Sequence, residues 1–156
     1  MKKITKLTKE KLKPYKKELV IWAAKCAEHV LPFFEKYYPN DKRPRKAIET
    51  AREWVKYIDD EKRKIKLLII RKVSLDSHAV ARKVSEKNIS ARYAARAAGQ
   101  AVATCHATGH SLGTQYYALK AVGEENKTKE RKWQMSQLPK KLRKFFFQKS
   151  LNNLSY

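Results

Sequence analysis

A run of apolar side chains at helical spacing near the start of the chain constrains the fold most strongly. The run consists of Leu19, Trp22, Ala23, Cys26, Val30, Phe33, Phe34 and Tyr37. Because residues three and four apart share one face of an α-helix, this spacing predicts an amphipathic helix from about Tyr15 to Tyr38. Pro32 lies inside the run and is expected to bend or split the helix, because proline lacks an amide hydrogen.

A second tract, from Ile89 to Val122, is dominated by small residues. One helical stripe of this tract is formed by Ala94, Ala98, Ala101, Cys105, Gly109, Leu112 and Tyr116. Small side chains let a neighbouring helix approach closely, so we expect close helix packing here. Glycine weakens helices, and a break near Thr108–Ser111 is therefore expected.

Between these tracts the pattern also favours helices. Pro44 suits the first turn of a helix that continues through Trp54, and Asp41 lies just ahead of that N-terminus, where a carboxylate is favourable. Leu67–Ile70 fits either a buried strand or a helix by periodicity. We predict a helix because no second strand candidate is present, and Ser74–Ser77 could divide this region into two helices.

The remaining sequence reads as a polar connector followed by a last helix. Gly123–Glu130 is the connector, and Pro139 opens a helix whose residues Leu142, Phe145 and Phe146 are expected to cap the core together with Phe147. We therefore predict an all-α, single-domain bundle of about four to six helices over residues 1–156.

The formal charge of +22 is unevenly distributed along the 156 residues. Residues 1–17 form a basic N-terminal arm, and residues 124–156 form a basic C-terminal segment. In contrast, residues 18–60 contain eight basic and eight acidic side chains. A basic surface attracts polyanions, so a nucleic-acid-associated protein is one hypothesis. Lysine outnumbers arginine 27 to 10, which favours non-specific contact with phosphates over base reading.

The sequence suggests a reduced, cytoplasmic protein. Cys26 and Cys105 fall on apolar helical stripes and are expected to be small core residues rather than a disulfide. No export segment is recognised, and no stretch approaches the roughly 18 apolar residues of a membrane span. The sequence leaves the oligomeric state open.

The electrically neutral part of the chain, residues 18–60, supplies the main candidate binding site. On the helix after Asp41, the spacing allows Arg45–Glu49 and Glu49–Arg52 pairs on a solvated face. A second interpretation places Arg43, Arg45 and Arg52 in a polar network with Asp41, Glu28 or histidines. Partly buried arginines of this kind would act as structural anchors or as a recognition surface.

Histidines supply a second group of candidates. His106 and His110 are four residues apart, and a continuous helix would project both from one face, as two metal ligands require. Catalytic zinc needs a third protein ligand, so a hydrogen-bonded pair is the favoured interpretation and a metal-binding protein the alternative. Glu28 and His29 could also serve as an acid–base pair, although a packing role for His29 is more usual.

The chain carries no motif that requires a cofactor or a nucleophile. It has no glycine-rich phosphate loop, no G-x-S-x-G and no CxxC. We therefore predict a non-enzymatic protein without a cofactor or a catalytic residue.

Four stretches together resemble one known family. They are "LVIWAAKCAEHVLPFFE" (Leu19–Glu35), "DKRPRKAIETAREW" (Asp41–Trp54), "AARAAGQAVATCHATGHSLGTQYYALKAV" (Ala94–Val122) and "ERKWQMSQLPKKLR" (Glu130–Arg143). In this order they are similar to the immunity-protein-five-like family of bacteria and archaea. The segment Glu61–Lys87 departs from the family in being rich in lysine and isoleucine.

The resemblance implies an all-α domain and a role in neutralising a toxin through a protein–protein contact. It implies no catalytic residue. A chain of charge +22 would repel a toxin with a basic nucleic-acid cleft. The implied toxin is therefore acidic, or it is bound through the neutral region around Glu28, His29 and residues 41–54, with His106 and His110 nearby.

Overall fold

A computed structural model describes residues 10–151 of the chain, and the side chains of residues 10–146. Residues 10–12 are helical and lead through a short 3-10 turn into the first long helix. Seven α-helices follow within the described range: α1 (Lys16–Glu35), α2 (Arg43–Tyr57), α3 (Leu67–Lys83), α4 (Ile89–Ala103), α5 (His110–Ala121), α6 (Lys127–Gln137) and α7 (Lys140–Leu151). The described range contains no strand, which confirms the all-α class.

Helix α4 is the centre of the bundle and packs against α1, α2, α3 and α5. Its buried residues are almost all small: Ala91, Ala94, Ala95, Ala97, Ala98, Gly99, Ala101, Val102 and Ala103. Because a helix surrounded on most sides has no room for long side chains, alanine is the residue that lets four neighbours approach one axis. The tract of small residues therefore marks the most enclosed helix.

The helices run alternately up and down around α4. Arg45 and Arg52 of α2 meet Glu35 and Glu28 of α1 in reversed order, so these two helices are antiparallel. In the same way, Tyr93 of α4 stacks on Tyr117 of α5, while Gln100 reaches His110. Ser74 and Ser77 of α3 meet Gly99 and Ala95 of α4, again in reversed order. One end of the bundle therefore holds the starts of α1 and α3 and the end of α4.

Helix α3 is continuous, so the division considered at Ser74–Ser77 does not occur. The Ser74 hydroxyl donates to the carbonyl of Gly99 (2.9 Å), and the Ser77 hydroxyl donates to the carbonyl of Ala95 (2.7 Å). Because both serine hydroxyls form hydrogen bonds that join α3 to α4, neither serine acts as a helix cap. The helix predicted at Leu67–Ile70 is confirmed.

Two further expectations about helix boundaries need correction. Helix α1 is not split, because Pro32 occupies its last turn, where only the final residues would be disturbed. The predicted number of helices, four to six, is smaller than the seven in the described range. One reason is that the polar connector from Gly123 to Glu130 contains the start of α6. The break in the small-residue tract occurs at residues 104–109, slightly ahead of the expected position.

A second, smaller core joins the C-terminal helix to α1. Its buried members are Leu12, Leu19, Trp22, Cys26, Leu138, Leu142 and Phe146. The rings of Trp22 and Phe146 meet edge to face with centroids 4.7 Å apart, and the indole nitrogen donates to the carbonyl of Gln134 (2.7 Å). Phe146 therefore caps the core as predicted. The side chain of Phe147 and residues 1–9 of the basic arm lie outside the described range.

Both cysteines are free thiols in the core, as predicted. Burial raises the pKa of the Cys26 thiol far above its usual value, and burial raises the pKa of Cys105 to about 12. Their thiolate forms are therefore suppressed, and they pack as small apolar groups. No helix of the described residues has the length and apolar content needed to cross a membrane.

Candidate functional site

Arginines of α2 form a row of ion pairs with Glu28 and Glu35 of α1 and with Asp41 of the preceding turn, and we call this row the α1–α2 seam. Arg45 binds Glu35 through both Nε and Nη2, at 2.6 and 2.8 Å. Seven residues further along, about two helical turns, Arg52 pairs with Glu28. The side chains of both arginines and of Glu28 remain about half exposed, so the seam is at once a packing contact and an accessible surface.

At the start of α2, the turn adds a third pair to the seam. The guanidinium of Arg43 contacts both carboxylate oxygens of Asp41, with Nη2–Oδ2 at 2.5 Å, and the Arg43 backbone amide also donates to Asp41. The hydrogen bond from Arg43 lowers the pKa of Asp41, and the hydrogen bond from Arg45 lowers the pKa of Glu35. Both carboxylates are therefore held ionised, with fixed orientation.

Glu49 is exposed on α2 between the two inter-helix pairs. Within the described part of the chain it forms no ion pair, because Arg45 and Arg52 turn away from it toward α1. Its charge still acts on Arg45, whose pKa is raised first by the hydrogen bond to Glu35 and to a smaller degree by Glu49. The pairs within α2 are thus replaced by pairs across the seam.

The Glu35–Arg45 pair of the seam is oriented against the dipoles of both helices. Glu35 is the last residue of α1, whose last turn contains no basic residue. Arg43 and Arg45 lie in the first turn of α2, which contains no acidic residue. A carboxylate at a C-terminus and cations at an N-terminus each cost about 0.3–1 kcal/mol. Reversing the polarity of the Glu35–Arg45 pair would place both charges in favour of the helix dipoles.

His29 lies next to Glu28 in sequence but faces α6. Its Nδ1 is 2.9 Å from Oε2 of Glu130, and its ring stacks on Trp133 with centroids 3.7 Å apart. Glu130 is buried and accepts a further hydrogen bond from Gln134 (2.9 Å). His29 is therefore a packing residue that holds α6 against α1, and it does not join the seam.

His106 lies in the turn between α4 and α5, and His110 is the first residue of α5. Their ring centroids are 5.1 Å apart, and Nδ1 of His110 is 2.7 Å from Oε1 of Gln100. Partial burial and then the charges of Arg71 and Lys16 lower the pKa of His106. Lys16 begins α1, and Glu28 is twelve residues further along that helix, about 18 Å away by helical rise.

The nine predicted site residues therefore occupy three separate places. The seam region contains Glu28, Asp41, Arg43, Arg45, Glu49 and Arg52. His29 faces α6, and His106 and His110 lie near the opposite end of α1. Among residues 10–146, no group of three or more His, Cys, Asp or Glu side chains could hold a metal ion. The His106–His110 pair thus lacks the third ligand that the metal hypothesis requires.

Sequence reasoning missed three residues that complete these contacts. Glu35 could have been found, because it follows Glu28 by seven residues and therefore lies on the same face of α1. Glu130 and Trp133, the partners of His29, are about a hundred residues away in sequence. No local pattern indicates that pairing.

One protein-family model matches the chain, over residues 10–141, and its description is "Imm-5 like putative immunity protein". The match covers the bundle from the turn before α1 to the start of α7. Curated proteins and solved structures yield no match to the chain.

Proposed function

Because the chain belongs to the Imm-5 like immunity-protein family, we propose that it is a non-enzymatic binding protein that neutralises a toxin by covering the toxin's working surface. The observation that carries the choice of site is the orientation of the α1–α2 seam. Its Glu35–Arg45 pair and the cation at Arg43 oppose the helix dipoles, so stability alone does not account for them. Local arrangements that cost stability are expected where a surface serves recognition.

The physical character of the seam suits recognition of a folded protein. Arginine is enriched among residues that dominate binding energy, and the seam presents three, each held in place by a carboxylate. Side chains that are already ordered lose less conformational entropy when a partner binds. The seam also lies in the electrically neutral part of the chain, where the overall charge of +22 is least repulsive to a basic toxin.

The proposal is tested by co-expressing this protein with the product of the adjacent gene. We expect the neighbouring protein alone to stop growth and the wild-type chain to restore it. Arg45→Ala and Arg52→Ala should each weaken the rescue, since a hot-spot arginine contributes about 2 kcal/mol or more to binding. Lys46→Ala, which removes an exposed cation from the same helix, is the matched control.

Thermal unfolding of each purified variant separates lost binding from lost folding. A variant that melts like the wild type but fails to rescue growth supports a recognition role for the seam. Full rescue by both arginine variants would remove the seam as the contact surface. A neighbouring gene product that is harmless and does not bind this protein would count against neutralisation itself.

A further inference from the structure

The surface of α3 that points away from the bundle carries an unusual density of exposed apolar residues, and we call it the α3 outer face. It consists of Leu67, Leu68, Ile69, Arg71, Lys72 and Leu75. Leu68 is 76% exposed and Leu75 is 64% exposed, the two highest values among the large apolar side chains of the described range. Seven residues separate them, so both lie on the same side of α3, about 10 Å apart.

This face is presented on a rigid base. Ile65 packs against the main core and Ile70 is 2% exposed within it, so the chain is anchored on both sides of Leu67–Ile69. The remaining buried residues of α3 face the bundle, where Ser74 and Ser77 bond to α4. The leucines are therefore held outward by the packing of their neighbours.

Cations flank the exposed leucines in sequence, and Lys72 among them is paired with Asp76. Among the described residues, Lys62, Lys66 and Arg71 form no ion pair with any carboxylate. The start of α1 lies at the same end of the bundle, as the effect of Lys16 and Arg71 on His106 shows. Exposed leucines with a basic border are the pattern of surfaces that adsorb to anionic lipid.

We infer that the α3 outer face docks onto an anionic lipid surface, with Leu68 and Leu75 inserted among the acyl chains and Lys66 and Arg71 at the phosphates. The side chains of Arg71 and Lys72 lie on α3 between the two leucines. A protein groove that accepted both leucines would have to bury Arg71 together with the Lys72–Asp76 ion pair. At a lipid surface their long aliphatic stems follow the apolar layer while their charged ends return to the headgroups.

Co-sedimentation with vesicles tests the inference. The probe is vesicles of equal parts phosphatidylcholine and phosphatidylglycerol, with pure phosphatidylcholine vesicles for comparison. The wild-type chain should bind the anionic vesicles and bind the neutral ones much more weakly. The double variant Leu68→Ala, Leu75→Ala keeps every charge, and it should lower the partition coefficient about tenfold because apolar burial is lost.

Two matched controls separate a specific face from the general attraction of a basic protein. Ile89→Ala removes an exposed apolar side chain (39% exposed) at the opposite end of the bundle and should leave binding unchanged. Lys66→Gln with Arg71→Gln should weaken binding about tenfold, whereas Lys42→Gln with Lys46→Gln, which removes the same charge from the start of α2, should weaken it far less.

Three results would overturn the inference. The wild-type chain does not sediment with anionic vesicles at low ionic strength, or the two charge variants weaken binding equally, or the leucine variant binds as the wild type does. If the leucine variant instead converts a dimer to a monomer in analytical ultracentrifugation while vesicle binding is unchanged, the face is a contact between two copies of this chain.

Discussion

Charged side chains are used in opposite ways along the α1–α2 seam and on the α3 outer face. In the seam, Arg45 and Arg52 are each held by a carboxylate from the neighbouring helix. On α3, Arg71 and the nearby Lys66 have no such partner within the described range, and they border leucines that are largely exposed. Every arginine of the first region has a carboxylate partner, whereas among the described side chains of the second only Lys72 has one, Asp76.

The difference bears on what each region can bind. A partner at the seam meets fixed donors and acceptors, so it must match their positions, and specificity follows from that match. The α3 outer face offers attraction without fixed geometry, which suits a surface that is fluid and repetitive, such as lipid headgroups. Selective recognition is therefore expected at the seam and adsorption at α3.

Reversing one charge in the seam should have the largest effect on stability. Arg45→Glu would place two carboxylates where a two-point salt bridge now exists, and we expect the free energy of unfolding to fall by about 1–2 kcal/mol. The double variant Glu35→Arg, Arg45→Glu restores the pair and also aligns both charges with the helix dipoles, so it should be at least as stable as the wild type.

Urea unfolding of the wild type, Arg45→Glu, Glu35→Arg and the double variant measures the coupling directly. A double variant no more stable than Arg45→Glu would show that the pair contributes little across the seam. A double variant more stable than the wild type, yet poor in growth rescue, would show that the native polarity is retained for binding.

Acid should weaken the protein in two stages that separate the seam from the contact between α3 and α4. His78 lies on α3 with its partly buried ring against Gly99 of α4, and burial, with smaller effects from Arg96 and Arg82, lowers the pKa of His78 to about 4. Because the folded pKa is below the unfolded value, its contribution to stability is complete above pH 6.5 and is lost as the pH falls toward 4. The pKa values of Glu35 and Asp41 are also lowered, so their contributions are lost only at more acidic pH, below their ordinary values.

Chemical unfolding at a series of pH values distinguishes these stages. His78→Leu should remove most of the pH dependence above pH 4.5, leaving a smaller part from His106, while Glu35→Gln should reduce only the acidic stage. Lys66→Gln should alter neither stage. An unchanged slope in His78→Leu would show that this histidine does not remain neutral in the folded protein.

The helices that bury an apolar stripe could be predicted from the sequence, and α6 could not. Its two buried side chains, Glu130 and Gln134, are polar, so no hydrophobic period indicates it. It is held instead by His29 and by the indole of Trp22, which donates to the Gln134 carbonyl. A helix fixed by tertiary polar contacts leaves no local signature.

The candidate site could be predicted only where local helical spacing determines its contacts. Contacts across the seam follow from two amphipathic helices with charges on adjacent edges, and the pairing of Arg52 with Glu28 is among those that the sequence suggested. The histidines did not join it, because α4 ends at Ala103 and places His106 in a turn. Helical spacing predicts neighbours only while the helix continues.

The smallest effect on stability is expected on the α3 outer face, even though its leucines are large. Leu68→Ala and Leu75→Ala remove side chains that are mostly in water already, and alanine is an excellent helix former, so the free energy of unfolding should change by less than about 0.5 kcal/mol. Urea unfolding of the double variant checks this. A loss comparable to that of Arg45→Glu would mean that these leucines contribute to the fold, and their substitution would then no longer isolate a binding surface.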